Sequence, residues 1–170
     1  MLFERIESEG LAHYSYLIGD GFDLVMMIFG QLNVFPRGRA AEIVSKAHAA
    51  LEPGGRLVLE VQAAEKIRQG GEAAPSWYSA PTGLFSDEPH LVLQENFWDA
   101  GARASTTRFM VIDAETGAVS SHALSNEAYG DEELDRALRS AGFGEVQRFP
   151  SLRGTPAAEE TDLPVVVARR

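Results

Sequence analysis

The 170-residue sequence predicts an α/β fold in which a parallel strand–helix–strand core carries an inserted antiparallel β-meander. Three observations predict it. Phe22–Phe29 is an almost unbroken apolar run, the pattern of a central parallel strand covered on both faces. Behind it Ala40, Ile43, Val44, Ala47, His48 and Leu51 recur at helical spacing, and Leu57–Val61 returns as a second strand. Later, three β-prone segments follow one another with Asp113–Gly117 as a hairpin turn, which is antiparallel patterning.

The elements follow in order. Residues 2–9 read as the end of a helix, with Leu2, Phe3 and Ile6 among charged residues and Gly10 as its stop. Tyr14–Ile18 is a short β-prone run closed by the turn Gly19-Asp20-Gly21. Gly30–Gly38 is a loop before the helix. Pro53-Gly54-Gly55 ends that helix, because Pro cannot continue it and Gly accepts the left-handed cap. Strand, helix and strand make a βαβ unit. Ala63–Ile67 is a helical segment. Gly70–Pro89, rich in Gly, Pro and Ser, is a loop of functional length carrying Trp77, Tyr78 and Phe85. The meander is His90–Trp98, Ser105–Ile112 and Ala118–Leu124. A helix through Leu134, Ala137, Leu138 and Ala141 begins at Gly130, with Glu133 three residues on, and closes at Gly142. Glu145–Phe149 and Leu163–Ala168 are the last strands. The organisation is one domain, 1–170, with a core of 22–62 and 130–170 and an insertion of 63–129.

Composition narrows the function. A hydrophobic content of 45% marks a chain that folds rather than a disordered one. The absence of cysteine excludes disulfides, thiolate metal sites and cysteine nucleophiles. The net charge of −10, with acids clustered at Glu4, Glu7 and Glu9 and at Asp131–Asp135, repels phosphate backbones and argues against nucleic acid as a partner. No apolar run reaches the roughly 18 residues of a membrane span, and the first residues lack a signal-peptide core. The expectation is a cytoplasmic protein with no membrane partner. No HExxH, P-loop or GxSxG motif occurs, and no metal site is expected.

Phe22–Phe29 together with Leu51-Glu52-Pro53-Gly54-Gly55-Arg56-Leu57-Val58-Leu59-Glu60 resembles strands four and five of class I S-adenosylmethionine-dependent methyltransferases. Tyr129-Gly-Asp-Glu-Glu-Leu, Ala141-Gly-Phe143 and Leu163-Pro-Val-Val-Val-Ala-Arg-Arg are similar to the family's penultimate helix and closing strands. Gly83–Trp98 and the meander look like the substrate-side insertion of its small-molecule members. The resemblance covers residues 12–170 and implies a truncated Rossmann-like sheet. In the family, glycines after strand one and an acid after strand two hold the cofactor. Here none of the residues before Phe22 form a GxGxG, so the N-terminal region reads as shortened and truncated.

What the resemblance implies for the site is S-adenosylmethionine as cofactor and a small molecule as methyl acceptor. Asp20 matches the acid near the adenine. Gly30, Gln31 and Asn33 form the loop lining cofactor and acceptor. Ligands of open α/β sheets bind at the C-terminal strand ends, where Glu60 also lies. Glu60 and His90 are candidate acid–base groups, and Trp77, Tyr78, Glu95 and Trp98 are candidate pocket walls. Each has a structural alternative: turn formation for Gln31 and Asn33, hydrogen bonding for Glu60, packing for the aromatics.

Two functions remain open: a small-molecule methyltransferase, represented by a truncated chain or completed by a partner, and a methyltransferase-like binding or scaffold dimer that does not methylate or that transforms a ligand without the cofactor. Without strands one and two, strand 22–29 becomes an apolar edge that demands cover. Tyr14–Ile18 moving beside it, a homodimer, or a partner chain would provide that cover. The short Asp20-Gly21 link favours the first, with dimerisation covering the remainder.

Overall fold

A computed structural model describes residues 3–7, 14–18, 21–153 and 162–170. The core is a four-stranded sheet in the order β3-β4-β10-β9, formed by β3 (Phe22–Met27), β4 (Leu51–Glu60), β9 (Glu145–Phe149) and β10 (Val165–Arg169). β3 and β4 are parallel, whereas β10 runs antiparallel to both β4 and β9. This is the order that the resemblance implies for family strands four, five, seven and six. Helix α1 (Arg37–Ala50) crosses from β3 to β4, and α3 (Asp131–Ser140) precedes β9.

Both helices contribute to one core. Val44, Ala47, Leu134, Leu138 and Phe143 form a single buried cluster with Met27, Leu57, Leu59, Val166 and Ala168 of the sheet. Strand alternation sends the other set of side chains the opposite way. Leu24 and Met26, with 48% and 51% of their surface exposed, point away from the cluster. Met26 pairs with Val58, and Val58 with Val167, so an apolar row crosses the outer face of the sheet. Among the described residues no helix covers that row.

The second sheet is antiparallel, in the order β5-β6-β7-β8: β5 (Ser76–Ala80), β6 (His90–Asp99), β7 (Ala104–Asp113) and β8 (Val119–Glu127). Helix α2 (Ala64–Glu72) lies against one of its faces, where a Cβ on Gly71 would meet Trp98 and Ser105. The Asp113–Gly117 turn forms as expected: Asp113 Oδ1 accepts from the Thr116 N–H at 2.7 Å, and Gly117 N–H donates to the Asp113 carbonyl at 2.9 Å.

Several expectations are corrected. Residues 2–9 are not a helix end; Phe3–Glu7 is strand β1. So short a segment gains little as a helix by itself, and a strand partner is available. That partner is β2 (Tyr14–Ile18), paired antiparallel from Phe3↔Ile18 to Glu7↔Tyr14. Tyr14–Ile18 therefore does not move in beside strand 22–29, because its ladder is made with β1 in a sheet of its own. Among the described residues nothing covers the outer face of β3, where Leu24 and Met26 stand exposed. The strand stops at Met27 because Phe29 and Gly30 both take positive φ, 58° and 68°.

The loop 30–38 is shorter than expected. Gln31–Val34 forms a 3₁₀ turn, and Pro36, lacking an N–H, sits where the helix needs none. Pro53-Gly54-Gly55 lies inside β4 as a bulge rather than between elements. Phe22 pairs with Leu51 and Leu24 with Arg56, so residues 52–55 swell outward, with Gly54 at φ 86°. The stretch 70–89 holds the end of α2 and the edge strand β5, making the meander one of four strands.

Candidate functional site

The C-terminal ends of β3 and β4 are tied together by a small set of polar contacts. The left-handed turn at Phe29-Gly30 aims both N–H groups at Glu60. Phe29 N–H donates to Glu60 Oε2 at 2.7 Å and Gly30 N–H to the Glu60 carbonyl at 3.0 Å. Gly30 has to be glycine twice over. Its φ is left-handed, and a Cβ would lie 2.7 Å from Gln62 Cγ. Asn33, wholly buried in the 3₁₀ turn, accepts the Gln62 N–H at Oδ1 and donates from Nδ2 to the Glu127 carbonyl, each at 2.8 Å. One carboxamide thus joins the ends of β3, β4 and β8. Gln31 opens the turn, its N–H donating to the Ile28 carbonyl at 3.3 Å.

Beside this junction stands a charged cluster that sequence reasoning did not single out. Arg37, in the first turn of α1, pairs with Glu127 at the end of β8 and with Glu133 of α3, the latter at 2.6 Å. Its guanidinium lies 5.5 Å from the centre of the Tyr129 ring. Arg103, from the β6–β7 turn, reaches Glu133 at 3.7 Å. Burial pushes the Tyr129 hydroxyl up to about 12; nearby Arg37 opposes that shift and Glu133 adds to it. Arg37, Arg103, Arg136 and the first turn of α3 border an open cleft of about 590 Å³. No local signal foretold the cluster, since Arg37 and its two carboxylates lie some ninety residues apart.

The other predicted residues do not gather here. His90, 3% exposed, begins β6 while Asp99 ends it beside Ala104 and Glu127. Nine strand steps, about 30 Å, separate His90 from the junction. Its Nδ1–H donates to the Glu88 carbonyl at 2.7 Å, and its Nε2 side faces Gly83. Alternation and register put Trp77 and Glu95 on the face of the meander away from α2, and Tyr78 and Trp98 on the α2 face. Glu95 pairs with Arg108 across the sheet, Arg108 Nε lying 2.9 Å from Oε2. Asp20 lies outside the described residues. Among the described residues, only Gly30, Gln31, Asn33 and Glu60 of these candidates come together.

These four do not by themselves make a cofactor cradle. The space that Gly30 leaves is filled by Gln62, and the Asn33 carboxamide bridges two protein strands. Among the described residues no group of three His, Asp or Glu is placed to hold a metal, and no helix is long and apolar enough to cross a membrane.

No protein-family model and no curated protein matches this sequence. Solved structures do match. A methyltransferase from Clostridium acetobutylicum aligns with a TM-score of 0.64 at 14% identity, over 90% of this chain and 60% of its own. The fold is that of S-adenosylmethionine-dependent methyltransferases. A sugar N-methyltransferase from Streptoalloteichus sp. matches with a TM-score of 0.61 at 18% identity, over 92% of this chain and 59% of its own. An amino pentose methyltransferase from Micromonospora echinaspora, solved with S-adenosylmethionine bound, matches at 0.58 and 22%, over 92% and 61%. This methyltransferase-like chain spans about 60% of the length of the structures it matches.

Proposed function

We propose that residues 22–170 are the acceptor-side part of a small-molecule methyltransferase whose S-adenosylmethionine-binding part is other polypeptide packed on β3. The observation that carries this reading is the bare side of the parallel pair. Met26, Val58 and Val167 form an apolar row on the outer face, with Leu24 exposed next to it on β3, and β3 has no partner on its outer edge among the described residues. Parallel strands are covered on both faces in stable sheets, so this side is built to be packed. It is also the side on which family strand one would lie. When bound, S-adenosylmethionine supplies an electrophilic methyl group. This chain contributes the strand-end junction of Gly30, Asn33 and Glu60 and the insertion that overhangs it.

The test is calorimetric titration of S-adenosylmethionine into the 170-residue chain alone and into its complex with the polypeptide encoded directly upstream. The expected result is no binding by the chain and micromolar binding by the complex. Binding by the chain alone would refute the division of labour, and a stable complex that binds nothing would refute methylation. A second reading, a non-methylating scaffold, is favoured by the engagement of Gly30 and Asn33 within the protein. It predicts a folded protein with no cofactor binding in any assembly.

A further inference from the structure

The strand-end junction leaves the Glu60 carboxylate half satisfied. Glu60 is only 7% exposed, and a carboxylate so enclosed needs hydrogen bonds or a countercharge. Oε2 has one partner, the Phe29 N–H. Oε1 has none among the described residues, and no Lys, Arg or His among them pairs with either oxygen. Asn126 Oδ1 is the one wholly enclosed side-chain oxygen or nitrogen left unbonded among the described residues, so Glu60 Oε1 opens to the surface.

Two further side chains stand with it. Gln62 lays its carboxamide across Gly30, with Nε2 2.9 Å from where a Cβ would be, and that carboxamide makes no bond among the described residues. Phe29, at φ 58°, is in the left-handed region that a bulky side chain enters only at an energetic cost, yet its ring is 73% exposed and gains little packing in return. Strain held at an exposed aromatic residue points to a use outside the fold. The three side chains meet at the C-terminal ends of β3 and β4, where ligands of open α/β sheets bind.

Charge decides what fits. In a chain of net charge −10, a carboxylate without a cation repels anions. An aliphatic ammonium can donate to Glu60 Oε1 and to the Gln62 carbonyl while resting against the Phe29 ring. A metal ion fits less well, since among the described residues no group of three His, Asp or Glu is placed to hold one. We propose that Glu60, Gln62 and Phe29 form a recognition site for an aliphatic ammonium group on the small molecule that the strand ends receive. Naming that molecule as the methyl acceptor rests on the function proposed above; the ammonium site does not.

Nitrogen-15 NMR of the intact chain tests it, with ethylammonium chloride titrated against ethanol and sodium chloride. Ethylammonium should shift the Phe29 and Gly30 amide signals saturably, with half-saturation at about 1–10 mM, and the two controls should not. Glu60→Gln keeps an acceptor for the Phe29 N–H but removes the charge, so affinity should fall about tenfold or more. Phe29→Gly should weaken binding about two- to fivefold without lowering Tm, whereas a purely structural role for the ring would lower Tm and leave affinity unchanged. Gln62→Ala, expected to bind about threefold more weakly, decides the matter if Glu60→Gln fails to fold. The inference is overturned by the absence of a saturable shift up to about 100 mM, by an equal response to ethanol, or by undiminished affinity in these variants. Because the titration omits S-adenosylmethionine, its failure leaves the division of labour standing, and a failed calorimetric test leaves this site standing.

Discussion

Replacing Asn33 by alanine tests the junction at its most connected point. The carboxamide makes two 2.8 Å bonds, one from the Gln62 N–H and one to the Glu127 carbonyl, and Asn33 has no exposed surface. Each bond contributes about 1–1.5 kcal/mol net, and both partners are backbone groups left partly buried when the side chain goes. The expected destabilisation is about 2–3 kcal/mol. For a domain of this size that lowers Tm by about 5–10 °C. Urea unfolding followed by circular dichroism and a thermal melt measure both quantities. Asn33→Asp separates the two bonds: it keeps an acceptor for Gln62 N–H but turns a carboxylate oxygen toward the Glu127 carbonyl, so above about pH 5 it should be no more stable than Asn33→Ala. A loss below about 0.5 kcal/mol in Asn33→Ala would refute the claim that this residue joins the three strand ends.

Gly142 closes α3 at φ 105°, and a Cβ there would lie 2.9 Å from the His48 ring, which stands edge-on to Phe143 at 4.9 Å. Gly142→Ala should therefore lose about 2–3 kcal/mol in urea titration, with part of the loss absent in a His48→Ala background. The Tyr129 hydroxyl, raised by burial to about 12, contributes stability that is whole below its unfolded value near 10 and is lost as pH climbs from there through 12. Discounted for partial solvent access, that is about 1–2 kcal/mol; tyrosinate absorbance should show one late-titrating group that Tyr129→Phe removes. Leu24→Lys with Met26→Lys should reduce light scattering on heating, since both side chains stand on the bare side of β3, while changing Tm by no more than about 2 °C.

The elements legible in the sequence are those whose burial is periodic. The stripe from Ala40 to Ala47 marks α1 because those residues do face the sheet, and the Asp113–Gly117 turn is written in residues with one conformational use. Strand β5 was not legible: Ser76–Ala80 is short, mostly exposed and set among Gly and Pro, so it alternates nothing between core and solvent. Pro53-Gly54-Gly55 reads as a helix stop and does stand just past α1, yet β4 starts before it, because a bulge uses the same residues as a turn. At the candidate site, the strand-end positions of Gly30, Asn33 and Glu60 follow from the βαβ order alone. The bond of Asn33 to the Glu127 carbonyl and the pairing of Arg37 with Glu133 do not, because both partners arrive from beyond β7, some ninety residues along the chain. His90 drew notice as a histidine beside a long loop, but which end of β6 meets the core is a tertiary fact.

The antiparallel seat of β10 between β4 and β9 has a consequence for biosynthesis. Glu60 and Val165 are direct partners in the ladder, yet more than a hundred residues separate them along the chain. At the usual ~5–20 residues per second, a ribosome spends about 5–20 s between making the first and making the second. During that interval the β4 edge that later pairs with β10 has no ladder partner, and its backbone N–H and C=O groups from Arg56 to Glu60 stand unpaired. The core sheet therefore assembles only after Val165–Arg169 have been made, and it is in those seconds that a holdase chaperone would find its strongest grip.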